Sequence, residues 1–304
     1  MKKILLAAVS LSALAGSAFA ADLPSRKEAI LPPPPPPMWT GMYAGLNAGY
    51  NWGVNTNSYS QNWGTPSAQL PGYTPTAPIA MDGVASMTQS GFIGGAQFGY
   101  NYQYGSSIVL GVETDIQGTN TRGSGRTSGA VNDGPVTIGA ITASGSTVGA
   151  TAIQGGVDYL GTIRGRIGYL WSPTLLVYGT GGFAYGGAYA NVVQTAASAG
   201  SRQVSVATPV AGSALWIGGG QQNQLLTGWT AGAGLEWMFM PNWSLKGEAL
   251  YWDLGRMNVN TISYLSTGDT LGWGRTNVNY SGVMARAGVN YHFNFGAAPV
   301  VAKF

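Results

Sequence analysis

Val283-Met284-Ala285-Arg286-Ala287-Gly288-Val289-Asn290-Tyr291-His292-Phe293 carries the reading of the whole chain. Successive side chains of a strand point to opposite sides. Val283, Ala285, Ala287, Val289, Tyr291 and Phe293 therefore share one face, and Met284, Arg286, Gly288, Asn290 and His292 the other. An oily face backed by a polar one over roughly ten residues fits a strand of a closed barrel, lipid outside and lumen inside.

The pattern recurs along the chain. Residues 39–52 set Met42, Ala44, Leu46, Ala48, Tyr50 and Trp52 against Tyr43, Gly45, Asn47, Gly49 and Asn51. Residues 91–104, 108–117, 157–170, 225–239 and 243–253 alternate in the same way, and 175–186 is strand-like with neither face assigned by its pattern. With the opening stretch, which begins near Asn277, these make eight strands of an all-β, antiparallel transmembrane barrel. Tight connections at Gly105-Ser106-Ser107, Ser172-Pro173-Thr174 and Pro241-Asn242 alternate with long ones at about residues 53–90, 119–156, 187–224 and 254–276. Short turns on the periplasmic side and long loops outside are the expected arrangement.

Composition agrees. Only 8% of residues are charged, 48 of 304 are glycine and 11% are aromatic, which is far from an ordinary soluble domain. Zero Cys and one His leave no basis for disulfides, a cofactor or a nitrogen- or sulfur-ligated metal. The leader, with Lys2, Lys3, an apolar stretch from Ile4 to Ala15 and Ala18-Phe19-Ala20, reads as a secretory signal cut between Ala20 and Ala21. Its loss lowers the formal charge from +3 to +1, which argues against nucleic acid as a partner. Pro32 to Pro37 then form an extended spacer about 20 Å long. The expected organisation is a signal at 1–20, a proline-rich periplasmic spacer at 21–38, the barrel at 39–295 and a tail at 296–304.

Aromatic residues at strand ends are expected at the two membrane interfaces: Trp39, Trp52, Tyr169, Trp171, Trp237, Trp243, Tyr291 and Phe293. Inward positions carry Glu113, Asp115, Glu236 and Glu248 against Arg164, Arg166, Lys246 and Arg286. Glu113 and Asp115 should lie level with Arg164 and Arg166 across a shared tight turn, and Glu236 with Lys246 across another. Partial burial then demands interstrand ion pairs.

Catalysis finds little footing. Glu113 and Asp115, two apart on one strand without a cleft, make a poor glycosidase pair. His292 sits at the periplasmic end of its strand, away from any loop-side partner, and reads as a structural lumen or interface residue. The glycine-rich run 118–125 lacks the ending of a phosphate loop and belongs outside.

Four blocks carry a family resemblance: Trp39-Thr40-Gly41-Met42-Tyr43-Ala44-Gly45-Leu46-Asn47-Ala48-Gly49-Tyr50 after the prolines, residues Leu160 to Tyr169, residues Tyr178 to Gly186, and residues Arg286 to Tyr291. The chain resembles the alphaproteobacterial outer-membrane immunogenic proteins of the RopB type, related to opacity proteins and grouped loosely as porin family. The resemblance implies an eight-stranded outer-membrane barrel with surface-exposed loops and no catalytic residues. It also implies a terminal aromatic, Phe293 or Phe304, read by the barrel-assembly machinery during insertion. Outer-membrane lipid and lipopolysaccharide are the expected surroundings, with a possible surface ligand of the loops.

The expected role is structural and surface-interacting. The alternative is a narrow, weakly selective diffusion pore. Eight strands enclose a space that side chains fill, but inward glycines at 45, 49, 99, 168, 232, 234 and 288 withdraw filling volume.

Overall fold

The computed structural model describes residues 38–54, 57–64, 77–138, 140–204, 210–266 and 270–293. The signal with its Ala20/Ala21 junction, the proline run and the tail with Phe304 lie outside the described residues. The chain divides into two units, Met1–Pro36 and Pro37–Phe304, and every described residue belongs to the second.

In chain order the elements are β1 (Gly41–Gly53), β2 (Asn57–Gly64), α1 (Ala77–Ala80), β3 (Gly83–Ser86), β4 (Ser90–Tyr104), β5 (Ile108–Ile138), β6 (Ile141–Ser172), β7 (Leu175–Val204), β8 (Val210–Met240), β9 (Trp243–Leu265) and β10 (Thr270–Phe293). Neighbours run β1-β4-β5-β6-β7-β8-β9-β10, and β1 pairs with β10 to close a ring of eight antiparallel strands, with β2 and β3 added beyond β10. Closure leaves no free edge within the ring, the condition for spanning lipid. The stretch that decided the reading is the closing strand: Ala48 faces Ala287 and Leu46 faces Val289 across the β1–β10 seam.

Alternation sorts the faces as the sequence anticipates. Leu46, Phe92, Ile116, Ile163, Ile167 and Leu235 point outward and are exposed, while Tyr43, Gln97, Arg164 and Glu236 point inward and are buried. On β7, both faces carry apolar residues, so periodicity could not separate them: Leu176 and Tyr178 are buried inside, Val177 and Phe183 exposed outside.

Two expectations are corrected. Three of the four long connections are strand over most of their length: β5 runs 31 residues to Ile138 and β6 begins at Ile141, β7 ends at Val204 and β8 begins at Val210, and β9 ends at Leu265 and β10 begins at Thr270. At ~3.3 Å per residue such a strand is roughly 100 Å long, several times the height of the apolar band. Gly, Ser and Thr without alternation look like loop, yet ladder hydrogen bonds use only backbone groups, and β5 stays paired with β6 from Ile108 to Ile138. Nor do β5 and β6 meet at the end where the other tight turns lie. Their hairpin lies at the far end, around residues 138–141, although the register still sets Glu113 opposite Arg164.

The interior is layered. Trp39, Val109, Leu170, Leu176, Tyr178 and Met238 cluster at the tight-turn end. A charged layer follows. Beyond it lies a larger apolar cluster including Ile153, Leu250, Trp252, Met257, Val278 and Met284. The β1–β4 connection folds back into the far end, where Met81 and Met87 are fully buried and Thr151 Oγ1 donates to Met81 O at 2.7 Å. The glycine-rich face of β5 makes room for it: a Cβ on Gly125 would lie 2.8 Å from Ser86 O, and one on Gly129 2.9 Å from Ala80 O.

Candidate functional site

The charged layer is assembled from β5, β6, β8, β9 and β10, each contributing inward residues at neighbouring depths. All eight predicted side chains are there: Glu113, Asp115, Arg164, Arg166, Glu236, Lys246, Glu248 and Arg286 are each at most 5% exposed. Four carboxylates meet four cations, so the layer is formally neutral.

Glu113 is the hub. It accepts from Lys246 Nζ at 2.7 and 2.8 Å, from Tyr43 OH at 2.6 Å and from Arg164 Nη2, with Arg166 Nη1 at 3.5 Å and Arg286 Nη2 at 3.6 Å. Asp115 accepts from Arg164 at 2.9 Å, Arg286 at 2.8 Å and Thr162 Oγ1 at 2.8 Å. Glu248 is held by Arg286 Nε at 2.8 Å and Tyr178 OH at 2.9 Å, with Arg164 Nη1 3.1 Å away. Glu236 forms a second centre nearer the tight-turn end, accepting from Arg166 at 2.6 Å, Ser244 Oγ at 2.6 Å and Asn290 Nδ2 at 2.7 Å.

One expected pair is replaced. Glu236 and Lys246 are opposite in the β8–β9 register, yet Lys246 reaches across the lumen to Glu113 while Glu236 takes Arg166. Strand register sets depth; in so narrow a barrel, long side chains find partners across the interior as readily as beside themselves. His292 also joins this layer, its ring Nε2 2.9 Å from Ser244 Oγ and 3.4 Å from Glu236.

Two of the seven inward glycine gaps are filled by tyrosine rings. A Cβ on Gly99 would lie 2.4 Å from Tyr43 OH, and one on Gly234 2.5 Å from Tyr178 OH. Arg166 is sandwiched there, its guanidinium carbon 4.1 Å from the Tyr178 ring centre, with Nη1 donating to Tyr43 OH at 2.9 Å. Tyr43, Tyr178, Ser244, Thr162 and Asn290 were not singled out from the sequence as members of the network. An inward Tyr facing an inward Gly on the neighbouring strand is the signal that would have found the first two.

The aromatics divide. Trp52, Tyr169, Trp171, Trp237, Trp243 and Tyr291 are exposed on the outer face as expected, with Trp243 against Tyr291 at 5.1 Å and Tyr291 against Phe293 at 5.1 Å. Trp39 is the correction. It precedes β1, turns into the lumen and is 1% exposed, with its indole N–H donating to Pro173 O at 3.0 Å and its ring edge-on to His292 at 5.8 Å. Lying just before the first strand, it is free of the alternation that fixes outward faces, and it closes the tight-turn mouth.

A closed eight-stranded ring, an oily belt rimmed by aromatic rings at both ends and an ion-paired interior define an integral outer-membrane β-barrel. No family model matches the chain. Over 299 residues it is 34% identical to the 31 kDa outer-membrane immunogenic protein of Brucella melitensis, and equally to that of Brucella suis, covering 96% of this chain and 100% of the relative. The chain belongs to this family of outer-membrane immunogenic proteins, and its place is the outer membrane. Among solved structures it is similar to OprG of Pseudomonas aeruginosa (TM-score 0.38, 12% identity, 84% of this chain and 97% of that one). A similar match is Ail of Yersinia pestis (TM-score 0.27, 12% identity, 81% and 99%).

Proposed function

We propose that this protein is a sealed outer-membrane barrel whose role is structural and surface-interacting, carried by the long hairpins it raises above the membrane, and that it is not an enzyme. The observation that carries the reading is the layer of eight mutually paired charges, capped by Trp39 on one side and an apolar cluster on the other. Those carboxylates already have their donors, and His292 is tied to Ser244 and Glu236, so none is poised for acid–base work. The pore alternative loses its main support where Tyr43 and Tyr178 occupy the space left by Gly99 and Gly234. The proposed surroundings are outer-membrane lipid and lipopolysaccharide along the exposed apolar wall, and the barrel-assembly machinery during insertion. Removal of residues 1–20 as a signal completes the reading.

The chain has no cysteine, so single cysteines report cleanly. Ser128→Cys, on the far extension of β5, should react with a membrane-impermeant maleimide on intact cells, and Ser244→Cys, in the charged layer, should not. Equal labelling of the two positions would mean a wet lumen and would favour the pore.

A further inference from the structure

Just beyond the outer aromatic ring, the wall made by β5 to β8 changes chemistry for a short distance. Arg122, Tyr189 and Asn223 lie in one cross-strand row, joined through Gly156, and Gln154, Asn191 and Gln221 in the next. Toward the membrane the neighbouring row is Tyr159, Gly187 and Leu225, and away from it the next row is Arg126, Ala152, Val193 and Gly219. Gln154, Asn191, Gln221 and Asn223 thus gather amides directly above the apolar wall, at the depth where polar headgroups lie.

The band has a built centre. The Arg122 guanidinium carbon lies 5.0 Å from the Tyr189 ring centre, Nη1 donates to Thr121 O at 3.2 Å and Nη2 is 3.2 Å from Asp158 Oδ1. These contacts fix the plane of the group, and because a guanidinium carries five donors, others remain on a side chain that is half exposed. Arg122, Ser124, Gln154 and Tyr189 line an open groove of about 540 Å³ whose opposite rim is Ser86 and Thr88. An oriented guanidinium matches a phosphate by paired N–H donors, and amides and hydroxyls match sugar hydroxyls.

We propose that this band docks the phosphorylated sugar headgroup of an outer-leaflet glycolipid, an inference that rests on the lipid contact proposed above and gives it a place on the wall. The full chain would be placed in nanodiscs of phosphatidylethanolamine with added lipopolysaccharide, repurified, and its retained glycolipid counted by native mass spectrometry. The wild type and Arg256→Ala, which removes an exposed arginine of β9 outside the band, are expected to retain glycolipid alike. Arg122→Ala combined with Gln154→Ala is expected to retain several-fold less. Arg122→Lys, which keeps the charge and loses the fork, should fall between them.

Equal retention by the wild type and the double variant would overturn the site while leaving the lipid contact standing. No retention by any form would overturn both. In glycolipid-free discs, inorganic phosphate should not raise the wild type's thermal unfolding midpoint; a rise as large as lipopolysaccharide gives would assign the site to free anions and overturn the lipid source.

Discussion

Glu113 draws on four cations at once, so its stability cannot be divided into pairs. Taking charges out of water is costly and is offset only while every member keeps its partners. Lys246→Ala strips Glu113 of its closest ammonium and is expected to cost about 3–5 kcal/mol, read from the denaturant midpoint of the refolded barrel. Lys246→Met combined with Glu113→Gln removes both charges and should recover much of that loss; a double variant no better than the single would contradict the network. Arg166→Lys keeps the charge but cannot donate to Tyr43 and Glu236 together while lying on Tyr178. It should be destabilised by about 2 kcal/mol, whereas a tolerant site would show no shift in midpoint.

Among the elements, the far-end plug is the part held most locally. Asp82 Oδ1 accepts from Asn62 N at 2.6 Å and Asn62 Nδ2 at 3.0 Å, yet burial holds this carboxyl above its ordinary value. The native state therefore binds the Asp82 proton more tightly than the unfolded chain does. Its contribution is greatest at low pH and is lost as pH rises through the raised value. Protection of residues 77–89 from protease should accordingly weaken in the wild type as pH rises above the ordinary aspartate range, and stay flatter in Asp82→Asn. Gly129→Val, whose Cβ would press on Ala80 O at 2.9 Å, should expose the same segment while the membrane belt still inserts. Undiminished protection would show that the segment does not lie against β5.

How far these elements were legible follows from what each segment buries. Where lipid lies on one side, Leu46, Ile163 and Leu235 alternate with polar residues and the strands read directly. Beyond the membrane, β5 to β8 face water, alternation fades, and Gly-Ser-Thr sequence conceals continuous ladders. The charged residues were legible one by one because a charge on an inward position of a lipid-facing strand needs a partner. Their true pairing, Lys246 to Glu113 and not to Glu236, depends on the width of the ring. Trp39 was misplaced because an aromatic at a strand end has two destinations, interface or mouth, and the turn before β1 selects the second.

At the scale of the molecule, three stacked layers occupy the lumen: the Trp39 cluster, the ionic network and the Trp252 cluster. On the proposed reading they seal the eight-stranded ring, turn its interior into a core and leave recognition to the outer hairpins. The network should also be what holds the middle closed, so Arg164→Ala with Arg166→Ala, if it inserts, is expected to leak ions where the wild type does not. The most direct test of the sealed barrel is single-channel recording of the refolded chain in a planar lipid bilayer, with insertion verified by heat-modifiable migration. The account predicts verified insertion with silent traces; stable, reproducible conductance steps from the wild type would contradict it.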